Sequence, residues 1–345
     1  MVKINVFLQS ASRHENNLRA GLLAFYQGLK NAGEDVDLVT EARYAPCDVA
    51  VIYGCLKEGT GTIETRRNIC EAHDGTLVVL ETPFLGRRIR REDKGLRAFI
   101  RRLRNKRTIV DVMAHFRVGL NGPFYNTGDF CNAGSPADRW ELLRREFDLD
   151  LKPYRTTGSH VLIIGQIPDD GSLQGADIIA WLEATVRAVK QRTARPIVVR
   201  PHPGTRPRDL KRMMRSLTGD RQVHVDLPPT GTIHDALADC WVCVTYSSSA
   251  SVDALLMGVP AIAMSPASIA WPVTDHDLAA VENPTLYPRE QWLYDLCYAQ
   301  WSPAEMASGI VWPRLRNKAY HYLAQSKADG AQPKTHVAQP NAGAA

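Results

Sequence analysis

His160-Val161-Leu162-Ile163-Ile164-Gly165-Gln166-Ile167-Pro168-Asp169-Asp170-Gly171-Ser172 is an apolar run that stops at a glycine, turns, and leads into a helical pattern. The same grammar returns twice downstream. Ile197–Val199 runs into Arg200-Pro201-His202-Pro203, and Val242–Val244 runs into Tyr246-Ser247-Ser248-Ser249. Short apolar runs bounded by turn residues read as buried strands, and strands alternating with helices build a parallel sheet covered on both faces. The three polar segments therefore gather at the carboxyl edge of one sheet, where open α/β sheets bind their ligands.

The alternation extends in both directions. Strands are predicted at 160–164, 196–200, 222–226, 241–245 and 260–264, with helices at about 176–192, 207–218, 233–239 and 249–257. Upstream, strands at 3–8, 36–40, 48–53 and 76–81 alternate with helices at about 15–32 and 62–72. The expected fold is α/β, two Rossmann-like doubly wound domains facing a cleft. The first covers residues 1–150 and the second residues 160–328, with a linker at about 149–159 containing Pro153 and Gly158. Residues 117–135, rich in Gly, Asn and Asp, have little periodicity and read as loop. A helical region around Trp292, Leu293, Leu296 and Trp301 is a candidate to cross back to the first domain. Residues 329–345, rich in Ala, Gly, Pro and Gln, read as a disordered tail.

Composition narrows the class. At 345 residues, 44% hydrophobic and 23% charged, the chain is long enough for two cores. No stretch approaches the roughly 18–20 apolar residues of a spanning helix, and Met1–Leu8 reads as a strand, so a cytoplasmic location is expected. Seven cysteines at 47, 55, 70, 131, 240, 243 and 297 show no zinc-ribbon spacing. Cys240-Trp241-Val242-Cys243 has C-x-x-C spacing but enters a strand, where a redox motif would open a helix. The net charge is +5, yet Arg87–Arg107 alone carries eleven Lys and Arg against Glu92 and Asp93, which leaves the remainder acidic. Leu96, Phe99, Ile100 and Leu103 give this run an apolar stripe, so a basic helix is expected over 87–107.

Each polar segment has a chemistry. Ser247, Ser248 and Ser249 lie where a strand ends and a helix begins, suited to phosphate; the alternative for any one of them is an ordinary cap. His202, fixed between two prolines, can hydrogen-bond a phosphate or protonate a leaving group. Arg200 adjoins it and is a further donor-binding candidate, weaker because alternation puts its side chain on the opposite side of the strand. Asp170, then Asp169, are the candidate catalytic carboxylates, as general base or nucleophile; the alternative is that Pro-Asp-Asp-Gly only makes a turn. Gln166 and Ser172 are polar companions for holding a carboxylate or a donor.

Gly165–Ser172 resembles the Gln-x-x-x-Asp-x-Ser segment of capsule-polysaccharide-type glycosyltransferases, including the β-Kdo transferases. Arg200-Pro201-His202-Pro203 and Ser247-Ser248-Ser249 resemble the HP and SS motifs that this group shares with bacterial sialyl- and polysialyltransferases. The resemblance covers about residues 160–265. It implies a two-domain GT-B enzyme that holds a nucleotide-sugar donor at its phosphate through His202 and the serines, with no bound metal and no further cofactor. Where the family carries Glu-Ala-Leu after its serines, this chain has Asp253-Ala254-Leu255, so donor recognition at Asp253 rests on a shorter carboxylate. Asp35-x-Asp37 and Asp148-x-Asp150 match a metal-binding D-x-D only superficially.

The basic run points to a polyanionic acceptor bound by Arg97, Arg101 and Arg104, unless it is merely a solvated face. The expected acceptor is hydroxymethylated pyrimidine DNA, as modified by bacteriophage DNA glycosyltransferases. In that case Phe124, Tyr125 or Phe130 would support base flipping. The alternatives are an anionic glycan in capsule or lipopolysaccharide synthesis, a GT-B nucleotide-sugar epimerase, and a non-catalytic DNA-binding protein.

Overall fold

Val49-Ala50-Val51-Ile52-Tyr53 is buried at every position, as a strand covered by helices on both faces must be. It is the third strand of the first of two α/β units in the computed structural model, which describes residues 2–11, 16–54, 62–86, 89–92, 109–112, 114–217, 219–227 and 231–328. The first unit takes in Met1–Pro123, Asp129–Arg139 and the segment beginning at Asp295. The second takes in Phe124–Gly128 and Trp140–Tyr294.

In the first unit the elements run β1 (Lys3–Phe7), α1 (Asn16–Asn31), β2 (Asp35–Val39), β3 (Val49–Tyr53), α2 (Thr62–Ala72) and β4 (Thr76–Glu81). A hairpin of β5 (Ile89–Glu92) and β6 (Ile109–Val112) precedes β7 (Phe116–Leu120). β2, β1, β3 and β4 are parallel neighbours, and β7 adds antiparallel to β4. Two expectations are corrected here. The basic helix over 87–107 cannot hold throughout, because Ile89–Glu92 is a strand paired in antiparallel register with Ile109–Val112. Residues 93–108, with Arg97, Arg101 and Arg104, lie outside the described residues. The passage expected as loop over 117–135 opens on β7, and α3 (Asp138–Phe147) follows it.

The second unit runs β8 (His160–Ile164), α4 (Ile178–Lys190), β9 (Ile197–Arg200), α5 (Pro207–Leu217), β10 (Val223–Val225), α6 (Ile233–Leu237), β11 (Cys240–Thr245), α7 (Ala250–Leu256) and β12 (Ala261–Ala263). Local chemistry sets these boundaries. Asp177 caps α4 by accepting from the Ile179 and Ala180 N–H groups, Thr232 and Asp235 form a capping box on α6, and Gly258 at φ 76° ends the α7 region. The sheet is parallel throughout, in the order β10-β9-β8-β11-β12. The segment expected as a linker is docked on this unit: Lys152 and Arg155 N–H groups donate to the Leu256 and Gly258 carbonyls, and Arg289 stacks on Tyr154 at 3.8 Å.

After α8 (Glu290–Cys297) the chain returns to the first unit. β13 (Gln300–Trp301) pairs with β7, and α9 (Pro303–Ser308) and α10 (Trp312–Ala328) follow. Trp312, Leu315 and Ala319 enter the same core as Ile4, Leu22 and Val51. Among the described residues, no helix is long and apolar enough to cross a membrane.

Candidate functional site

Strand order in the second unit reverses between β8 and β11, since the chain steps outward to β9 and β10 and then returns past β8. The carboxyl ends flanking such a reversal open a crevice between diverging loops. Gln166 follows β8 and Ser247 follows β11, and their side chains meet there.

Gln166 is almost fully buried. Its Nε2 donates to Ser172 Oγ at 2.8 Å and to Ser247 Oγ at 3.1 Å, while its Oε1 accepts the Ser247 N–H at 3.0 Å. Ser247 Oγ donates to the Ser172 carbonyl at 2.8 Å, and Ser172 Oγ donates to Asp170 Oδ1 at 2.7 Å. The Ser172 N–H reaches the same oxygen at 2.9 Å, making Asp170 the cap of a 3-10 turn over Gly171–Leu173. Two strand ends are thus joined through one amide to one carboxylate. Asp170 Oδ2 has no hydrogen bond among the described residues.

The third segment approaches from β9. Gly165 N–H donates to the Arg200 carbonyl at 2.9 Å, carrying the ladder into the loops. His202 is exposed, and its Nδ1 accepts the Gly204 N–H at 2.9 Å. That bond places the ring proton of the neutral imidazole on Nε2. A β-carbon at Gly204 would lie 3.2 Å from His202 Nδ1 and 3.3 Å from Ile167 Cδ1, so the HP turn lies against the Gly165–Ser172 loop. Arg206 also connects the two: it pairs with Asp169 at 2.9 Å and with Asp209 at 3.0 Å, and these carboxylates, Asp209 first, push its pKa up.

The serines divide. Ser247 is buried and bonded within the framework. Ser248 Oγ accepts the Ala250 N–H at 3.2 Å, while Ser249 occupies the cap position of α7 without a side-chain cap bond. Asp169 is turned outward, its side chain 78% exposed, so the two adjacent carboxylates do not converge on one point. Arg200 is buried in an ion pair with Asp226, and its Nη2 donates to the Gly231 carbonyl at 2.9 Å. That environment makes it part of the core. Asp253, on α7, lies 3.9 Å from His234 Nε2 and raises the pKa of that imidazole.

Phe130 is buried against Phe84 at 5.7 Å, which removes it from any base-flipping role. Burial pushes the Cys240 thiol up to about 12 and Cys243 well above its ordinary value, so neither supplies a thiolate near neutral pH. Among the described residues, no three or more His, Cys, Asp or Glu are grouped to hold a metal. Sequence reasoning missed Arg206, Asn126 and Gln174. The last two make a reciprocal amide pair at 3.0 and 3.2 Å, between positions too far apart in the chain for any local pattern to reveal.

No protein-family model matches the chain, and no curated protein does. Solved structures do. A β-Kdo 2,4 transferase, KpsC of Thermosulfurimonas dismutans, is 15% identical with a TM-score of 0.51, over 86% of this chain and 90% of that one. The β-Kdo 2,7 transferase of the same KpsC is 14% identical with a TM-score of 0.42, over 90% and 99% of the two chains. A UDP-GlcNAc 2-epimerase of Methanocaldococcus jannaschii is 14% identical with a TM-score of 0.34, over 92% and 99%. The first of these likenesses carries the fold, two Rossmann-like units of the GT-B type.

Proposed function

We propose that the protein is a glycosyltransferase that moves a sugar from a nucleotide donor to a hydroxyl of a glycan-type acceptor, in the manner of the Kdo transferases of surface-polysaccharide synthesis. The observation that carries this reading is the hydrogen-bonded chain from Ser247 through Gln166 and Ser172 to Asp170, at the strand reversal of the second unit. It ties a phosphate-suited segment to a carboxylate whose second oxygen is available. The motif resemblance and the GT-B fold point the same way.

In this reading Asp170 Oδ2 takes the proton of the acceptor hydroxyl as its oxygen attacks the anomeric carbon. The bond from that carbon to the donor phosphate breaks, and the leaving phosphate meets the Nε2–H of His202 and the N–H groups around Ser248 and Ser249. Ser172 holds Asp170 through its other oxygen, which fixes the direction of the carboxylate. Hydroxymethylated DNA as the acceptor rests on Arg97, Arg101 and Arg104, outside the described residues, and nothing in the second unit favours it.

Asp170→Asn tests the assignment, because the amide oxygen keeps both bonds from Ser172 while proton acceptance is lost. The protein is supplied with nucleotide-activated Kdo and UDP-GlcNAc, together with a Kdo-terminated oligosaccharide or hydroxymethylated DNA, and products are weighed by mass spectrometry. A sugar-sized gain on the oligosaccharide, absent in Asp170→Asn while nucleotide affinity is kept, is expected. Equal product from the variant would overturn the role of Asp170. A gain confined to DNA would restore that acceptor, and interconversion of the free nucleotide sugar would make the protein an epimerase.

A further inference from the structure

Two non-glycine residues with left-handed backbone bracket the 3-10 turn of Asp170: Asp169 at φ 65° before it and Gln174 at φ 49° after it. This backbone region is costly for any residue with a β-carbon, and it persists where surroundings hold it. Each residue is held by a side chain from elsewhere. Arg206 pairs with Asp169, and the Asn126 amide pairs in both directions with the amide of Gln174.

Asn126 stands at the tip of a tight turn. The Thr127 and Gly128 N–H groups both donate to the Phe124 carbonyl, at 3.1 and 2.6 Å, which leaves Tyr125 and Asn126 projecting. The amide pair pins this tip to Gln174, the last residue of the turn that Asp170 caps. Tyr125 stands beside it, 43% exposed, one of five exposed large hydrophobics among the described residues. It makes no ring contact with another aromatic or cationic side chain among them. An aromatic ring left open to water, one residue from a tip pinned to the turn that Asp170 caps, is not serving the core.

We infer that Tyr125 is a stacking platform for the acceptor pyranose, seated by the Asn126–Gln174 pair. A pyranose presents an axial C–H face that packs on an aromatic ring, and tyrosine gives large contact area at low cost in side-chain entropy, with a hydroxyl free for a sugar oxygen. The inference rests on the transferase reading for its acceptor and adds the residue that recognises it.

The test is saturation-transfer NMR on the full chain with the methyl β-glycosides of Kdo and of N-acetylglucosamine, and separately with UDP and CMP. At least one glycoside should receive saturation on its ring C–H protons. Tyr125→Ala should weaken that binding roughly five- to tenfold, and Tyr125→Phe by no more than about twofold. Nucleotide binding should be the same in all three proteins. Equal glycoside binding by wild type and Tyr125→Ala overturns the inference, as does failure of every glycoside to bind a wild type that binds nucleotide. Nucleotide failing while Tyr125-dependent glycoside binding remains would instead remove the transferase reading and keep the platform.

Discussion

The buried pair of Arg200 and Asp226 offers a sharp test of which polar residues at the sheet edge serve the fold and which serve the donor. Their side chains are 7% and 8% exposed, so both charges are withdrawn from water and each depends on the other. Asp226→Ala removes the carboxylate paired with this buried guanidinium, and should cost about 3–5 kcal/mol. Arg200→Met removes the other member of the pair, at a similar cost of about 3–5 kcal/mol. Replacing both, Arg200→Met with Asp226→Leu, removes the two desolvation penalties together and should return stability to within about 1–2 kcal/mol of wild type. Urea unfolding followed by tryptophan fluorescence reads the stability term, and titration calorimetry with UDP and CMP reads the site. If Arg200 is a core residue, the double variant recovers nucleotide affinity along with stability. Single variants costing under about 1 kcal/mol each and adding without coupling would refute the buried-pair reasoning. A double variant that is stable but has lost nucleotide affinity would put Arg200 back at the donor.

Gly28 lies in α1 where helix propensity alone favours alanine by roughly 0.5–1 kcal/mol. A β-carbon there would sit 1.9 Å from the Met306 carbonyl oxygen, a backbone atom that cannot rotate away, so Gly28→Ala should lower stability by more than about 2 kcal/mol. A neutral or raised melting temperature would contradict the close approach of α1 and α9. His115 is buried beside Glu305 and Arg139, and burial pushes its imidazole down to about 4 despite the carboxylate. Because the folded value lies below the ordinary 6.5, the unfolded chain binds the extra proton. The associated stability is full above pH 6.5 and falls by as much as about 3 kcal/mol as pH drops towards 4. Urea unfolding across that range should be steeper in pH for wild type than for His115→Gln; identical slopes would refute it.

Strand and helix placement was legible in the sequence wherever one physical signal dominated. Val161–Ile164, Ile197–Val199 and Val242–Val244 are apolar because both faces of a parallel sheet are covered, and each ends at a turn that no strand accommodates. The same signals put Gln166, Asp170, His202 and Ser247 at one sheet edge, because parallel strands all end on the same side. The period-3.6 stripe of Leu96, Phe99, Ile100 and Leu103 led to a helix expected over the whole basic run 87–107, yet Ile89–Glu92 pairs with Ile109–Val112. Pairing depends on a partner about twenty residues away, which periodicity within a window does not register.

By itself the sequence determined the α/β alternation, the three strand-end segments and the residue types placed on them, because these follow from short-range patterns of burial and turn chemistry. Only the tertiary structure decided which of those residues face one another. It turned Asp169 outward to Arg206, drew Arg200 into the core with Asp226, committed Ser247 to the framework, and brought Asn126 to Gln174. Each of these outcomes rests on a contact between positions distant in the chain. Such a contact exists only once the sheet has set its strand order, so no local reading of either partner contains it.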